Sequence, residues 1–121
     1  MEKSNNSIKI TSNKVAISVS VYIFKENNTY IAYCPSLDLS GYDLTDKGAK
    51  DSFNFILKEW LHEQLANHTL RTDLERHGWE MKSRTAHEPK FQKLRASGLL
   101  DKILAQPEYI RTNAVSEVAL S

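Results

Sequence analysis

Five β-branched residues at every second position, Val15, Ile17, Val19, Val21 and Ile23, constrain this chain more than any other feature. A period of two is the strand period, and it puts all five side chains on one face of one strand. Such a face has to be covered by another layer. The opposite face carries Ala16, Ser18, Ser20, Tyr22 and Phe24, small and polar first and aromatic last, so its second half calls for cover as well. Lys25-Glu26-Asn27-Asn28-Thr29 follows, and because asparagine tolerates positive φ, Asn27-Asn28 predicts a tight hairpin turn. Tyr30-Ile31-Ala32-Tyr33 is the expected returning strand. It should end or bulge at Pro35, which has no N–H for a ladder. Leu37, Leu39 and Gly41 then alternate with Asp38, Ser40 and Tyr42, which predicts a short third strand.

The period changes after Thr45, an expected N-cap followed by Asp46 where a negative charge suits the helix dipole. Ala49, Phe53, Ile56, Leu57, Trp60 and Leu61 recur at helical spacing and predict a helix to about Asn67. This apolar stripe is the natural cover for the apolar face of the hairpin. Truncating Trp60 to Ala should cost about 3–5 kcal/mol where the ring is fully buried. Phe55 points away from the stripe, either capped by the C-terminal third or exposed as a partner contact. Thr72-Asp-Leu-Glu75 has capping-box spacing and Gly78 suits the C′ position, giving a short helix over 73–77. Trp79–Lys82 reads as a further strand, and 83–90 as a loop. A short helix before Pro107 and a terminal strand from Ile110 complete the reading, with residues 1–7 as a tail.

At 121 residues, 40% hydrophobic and 26% charged, the chain has the size and composition of a single ordered domain, 1–121. A net charge of +1 gives no whole-chain attraction for nucleic acid or acidic membrane. The single cysteine, Cys34, excludes an internal disulfide and fits a reducing compartment. No stretch reaches the roughly 18 apolar residues of a membrane span, and the polar N-terminus lacks a signal-peptide core. A soluble cytoplasmic protein is expected, without membrane contact.

Catalytic patterns are poor. His62-Glu63 opens like a zinc-protease motif, but the second histidine would stand where the chain has Ala66. Glu59 and His62 have the spacing of half a carboxylate-bridged metal site, and the other half is missing. His77 and His87 read as surface residues, and Cys34 as a buried thiol with no evident base. Asp38 is a lone strand carboxylate, whereas metal-ion nucleases need several that converge. No enzyme activity, metal or cofactor is expected. Met81–Arg95 carries Lys82, Arg84, Lys90, Lys93 and Arg95 against Glu88, five basic residues to one acidic. This is either a nucleic-acid contact patch with Phe91 as a stacking residue or a solvated loop that balances acidic residues elsewhere. The solvated loop is the favoured reading.

The order strand, strand, strand, helix, with Tyr30, Ala32, Pro35, Leu37, Ser40, Gly41 and Tyr42 at the second and third strands, resembles the HicB antitoxins of bacterial toxin–antitoxin pairs. Thr45 and Ala49 match the family's helix opening, and Leu74, Gly78 and Trp79 resemble a segment that follows the helix in some members. The resemblance covers roughly residues 15–79. It implies an α+β fold with a small antiparallel sheet of three to four strands and one main helix, partial RNase H-like (β-β-β-α-β). The implied core is 15–82, with 83–121 as a helical and extended C-terminal region. It also implies direct binding and neutralisation of a small mRNA-cleaving ribonuclease toxin, HicA-like and encoded by the adjacent gene, with no catalytic site in this domain. Because binding surfaces collect at strand ends and loops, Tyr33, Pro35 and Ser36 are the expected contacts, with Phe55. The alternative is a stand-alone nucleic-acid-binding module that uses 82–95.

Asp43-Leu44 and Lys47-Gly48 stand where the family often has Gly-Asp and two acidic residues. Many members append a helix-turn-helix or ribbon-helix-helix that binds operator DNA, and residues 80–121 match neither pattern. A sheet this small leaves edge strands, so a homo-oligomer is expected, with Phe55 and 115–120 as its contacts.

Overall fold

A computed structural model of the chain describes residues 6–81, 85–87, 99–106 and 108–120. The strands are β1 (Ser7–Ile10), β2 (Lys14–Glu26), β3 (Thr29–Cys34), β4 (Leu39–Asp43), β5 (Glu80–Met81), β6 (Thr85–His87) and β7 (Ile110–Ala119). The helices are α1 (Asp46–Ala66), α2 (Leu70–Arg76) and α3 (Leu99–Leu104). The fold is α+β, one antiparallel sheet with one main helix packed on it. Among the described residues the sheet has seven strands, wider than the three to four expected, because β1, β5, β6 and β7 all join it.

Asn27 and Asn28 take φ of 51° and 68°, the left-handed backbone that a tight hairpin needs, and the register Glu26↔Thr29 closes around them. Strand β3 stops just before Pro35, as expected. Strand β4 starts at Leu39 rather than Leu37, because residues 35–38 form a turn in which Asp38 takes φ 55°. Leu37 therefore reaches the core from the turn, where it is 2% exposed.

Val15, Ile17, Val19, Val21 and Ile23 are all buried beneath α1, together with Ala49, Phe53, Leu57 and Leu61 from the helix. Trp60 and Ile56 sit at the rim and are half-buried, so the cost of removing a fully buried tryptophan does not apply. The Thr45 Oγ1 accepts from the Gly48 N–H at 2.9 Å and closes the first turn of α1. Gly41 matters for approach rather than for turning. A Cβ there would stand 2.5 Å from the Phe53 backbone N, so only glycine lets α1 rest on β4. On the opposite face, Tyr22, Phe24 and Tyr33 are covered by Ile103 of α3, with Leu104 and Tyr109 beside them.

Helix α2 starts a turn earlier than the capping-box spacing suggested, with Thr69 at the N-cap and Thr72 inside. Leu70 and Leu74 are both buried, and that packing sets the start. Its end follows the expectation. Gly78 has φ 88°, its N–H donates to the Glu75 C=O, and the Trp79 N–H donates to the Leu74 C=O at 3.0 Å, a Schellman motif. Two further expectations change. The tail reading of 1–7 fails at its end, since Ser7 opens β1 and Asn6 is buried. Part of the 83–90 loop is strand, β6, which pairs with β1.

Strand β7 runs beside β2 from Lys14↔Ala119 to Ile23↔Ile110, and its Ala114 and Val118 enter the main core. Residues 110–119 are thus structurally part of the core sheet rather than an appendage to 15–82. Backbone direction along this ladder follows from one bond. The Leu120 N–H donates to the Asn13 C=O at 2.7 Å, which makes 13↔120 a hydrogen-bonded pair in the same register. Since antiparallel pairs alternate, odd-numbered residues of β2 aim their backbone groups at β7 and even-numbered ones at β1 and β3. The Thr11 N–H to Lys14 C=O bond agrees with this. So β1 and β3 lie end to end along one edge of β2, with a gap between them near Ser20.

Candidate functional site

The gap near Ser20 is filled by a buried polar knot. The Asn6 Oδ1 accepts from the Ser20 N–H at 2.9 Å, which no strand among the described residues serves, and from the Ser36 Oγ at 2.9 Å. The Ser36 C=O accepts from the Trp79 Nε1 at 2.8 Å, and its Oγ lies 3.3 Å from the Cys34 Sγ. This knot ties the β3–β4 turn to the N-terminus and to the segment after α2. Burial pushes the Cys34 thiol up to about 11 despite hydrogen bonds that act the other way. A neutral thiol in that setting is a packing group and not a nucleophile. Tyr33 donates from its hydroxyl to the Asp38 Oδ1 at 2.9 Å, and burial first, then that carboxylate, raises its phenol above the ordinary value.

Of the residues expected at the contact surface, Tyr33, Pro35 and Ser36 are brought together at this turn. Ser36 is 1% exposed and Tyr33 8%, and both side chains are engaged inside the molecule. Pro35 is half-buried and Asp38 exposed beside it. Phe55 is 65% exposed on α1, on the side facing away from the Ala49–Leu61 stripe, and is not part of this cluster. Lys82, Arg84, Lys90, Lys93 and Arg95 lie outside the described residues. His77 is half-buried rather than on the surface, with Nδ1 2.9 Å from the Asp73 C=O. Among the described residues, no group of three or more His, Cys, Asp or Glu is placed to hold a metal ion.

A surface not singled out from sequence adjoins the turn. Residues 29, 31 and 33 of β3 face β2, so 30, 32 and 34 face β4, where they meet Asp43, Gly41 and Leu39. The backbone groups of Ser40 and Tyr42 therefore point outward from the sheet edge. Tyr42 is 59% exposed and Leu44 is 76% exposed at the end of the same strand. Leu44 had a legible signal, an apolar residue in front of an N-cap, but its partner in a hydrophobic staple would be Ala49, which the core takes instead. The turn and this edge together form a rim on which Tyr42 and Leu44 stand exposed between Asp38 and Asp43 and half-buried Pro35.

The class defined by this architecture is a small α+β domain in which, among the described residues, β4 pairs along one edge only. No known family profile matches the chain, and no solved structure matches it. Over 77 residues, 60% of the chain, it is 31% identical to the 1,2-dihydroxynaphthalene dioxygenase of Pseudomonas sp. (strain C18). A 1,2-dihydroxynaphthalene dioxygenase of Pseudomonas putida is 29% identical over 79 residues. The chain spans about a quarter of the length of these curated relatives, 26% in each case.

Proposed function

We propose that this chain is a HicB-like antitoxin that neutralises a small mRNA-cleaving toxin by direct contact, and that the outer edge of β4 is where the toxin sits. The observation that carries the reading is that this edge lies inside the Tyr30–Ala49 stretch whose pattern resembles the family. Tyr42 and Leu44 stand exposed there beside the outward backbone of Ser40 and Tyr42. The buried knot behind Ser36 fixes the turn at one end of that edge, so the strand is presented in a set shape. Such preorganisation lowers the ordering cost of binding. In this reading Ser36 and Tyr33 act as supports, while Pro35, Tyr42 and Leu44 meet the partner. Phe55 stands on a separate surface.

The test is co-purification of the chain with the product of the adjacent small reading frame, paired with growth of cells that express that product alone. The expected outcome is a stable complex and toxicity relieved by this chain. A Tyr42→Ser, Leu44→Asp double variant should weaken the complex by about 30-fold or more, as loss of an interface anchor does. Both side chains are exposed, so thermal stability should hardly move. An absent complex together with a harmless neighbour would sink the reading.

A further inference from the structure

Helix α1 has two differently charged flanks, and the sheet fixes which way each one faces. Gly48, Ser52, Glu59 and Glu63 are separated by four or seven residues, the spacing of one flank. Lys47, Lys50, Asn54 and Lys58 are separated by three or four and make the other. The Lys50 Nζ donates to the Thr112 Oγ1 at 3.2 Å, so the lysine flank faces β7. A Cβ on Gly48 would collide with the Asp43 carboxylate, and one on Gly41 with the backbone of Ser52 and Phe53, so the glutamate flank faces β4.

The levels along strand and helix can be matched as well. A strand rises about 3.3 Å per residue and a helix about 1.5 Å, so two residues of β4 span about four of α1. Gly41 lies against Phe53, and Asp43 is accordingly found at Gly48, about that step towards the helix start. The same ratio in the other direction brings Glu59 level with the turn that holds Asp38. Asp38, Asp43, Glu59 and Glu63 are all exposed. Among the described residues none of the four forms an ion pair. The Tyr33 hydroxyl and the Leu44 N–H hold Asp38 and Asp43 in place, and neither donor brings a positive charge. The whole chain carries a net charge of +1, so this is a local segregation and not a general excess of acid.

Beside these carboxylates run the outward N–H and C=O groups of Ser40 and Tyr42, and among the described residues β4 pairs with β3 only. A strand added there lies about 4.8 Å outside β4, next to the glutamate flank of α1. An edge that offers backbone hydrogen bonds amid carboxylates suits a segment that is extended and basic. We infer that the partner docks by adding an extended, lysine- or arginine-bearing segment to the outer edge of β4, its cations held between Asp38 and Asp43 on one side and Glu59 and Glu63 on the other. The inference rests on the antitoxin reading and names the chemistry of the partner at that site. A protein that cleaves mRNA holds phosphates with the same cationic side chains.

The test measures association of the full chain with the product of the adjacent small reading frame over a series of salt concentrations. Ser40→Pro removes one outward N–H and leaves the β3 ladder intact, because the Ser40 backbone takes no part in it. It should weaken the complex about 10-fold or more. Glu59→Gln with Glu63→Gln changes only charge on an exposed flank. This pair should slow association about 5-fold at low ionic strength and make it less sensitive to salt. Lys47→Gln with Lys58→Gln, on the other flank, should not slow it. Thermal melts show which variants are folded, and the glutamate pair decides alone if the proline variant is not. Unchanged association or unchanged salt dependence in the glutamate pair overturns the inference. So does equal slowing by the lysine pair, or a folded Ser40→Pro that binds as tightly as the native chain. A native chain that binds nothing at any salt concentration sinks the antitoxin reading itself, and this inference with it.

Discussion

Asn6 carries more of this structure than any residue pattern would suggest. Its side-chain oxygen serves two buried donors, the Ser20 N–H and the Ser36 O–H, where the sheet has a gap. An unsatisfied buried donor costs about 1–3 kcal/mol, so Asn6→Ala should lower stability by about 2 kcal/mol or more in a denaturant melt. Ser36→Ala removes one donor and leaves the Ser20 bond in place, and should cost about 1 kcal/mol. A smaller loss for Asn6→Ala than for Ser36→Ala would contradict the knot. Cys34 gives the pH prediction. Its folded value is raised from 9.0 to about 11, so the folded state holds a proton that the unfolded chain releases. Its contribution is complete below pH 9 and is lost as pH rises through about 11, and Tyr33, raised from 10.0, adds in the same direction. The melting midpoint should therefore fall across this alkaline range, with a shallower fall in Cys34→Ala. In the native protein near pH 8 a thiol reagent should modify Cys34 only at the rate of unfolding. Cys34 was legible as a buried thiol. Asn6 was not, because one asparagine in a polar lead-in has no period that marks it.

At the scale of elements, α1 was legible throughout. Its cap, its stripe and its end all follow from local chemistry. Thr45→Ala should cost about 1 kcal/mol through the lost acceptor for the Gly48 N–H. Trp60→Ala should cost about 1–2 kcal/mol, less than a core tryptophan, because the ring lies at the rim. Gly41→Ala is the severe change. Its Cβ would meet the Phe53 backbone, which cannot swing aside as a side chain can, and α1 must lift off β4. A loss of about 3 kcal/mol or more is expected in calorimetry or a urea melt, and a stability loss below about 1 kcal/mol would refute the close approach. Helix α2 shows where local reading stops. Thr72 and Glu75 have capping-box spacing, yet burial of Leu70 draws the start back a turn.

At the scale of the molecule, β7 decides whether the core closes. It pairs along β2 from Lys14 to Ile23 and adds Ala114 and Val118 beneath α1. Deleting residues 110–121 should therefore leave a chain without a cooperative thermal transition, and a sharp transition in the truncated chain would refute this role. Alternation and turn chemistry determined β2, the Asn27-Asn28 hairpin, α1 and the two-sided cover of the first hairpin. Those features depend on which way side chains point, and sequence periods encode that directly. Which strands lie beside one another was decided only in three dimensions. Every residue but proline offers the same N–H and C=O, so a sheet edge carries no side-chain mark. The β2–β7 register joins residues about a hundred positions apart, Lys14 and Ala119 among them. Among the described residues β4 pairs only with β3 and β7 only with β2, and that follows from the tertiary register and not from either strand's own residues.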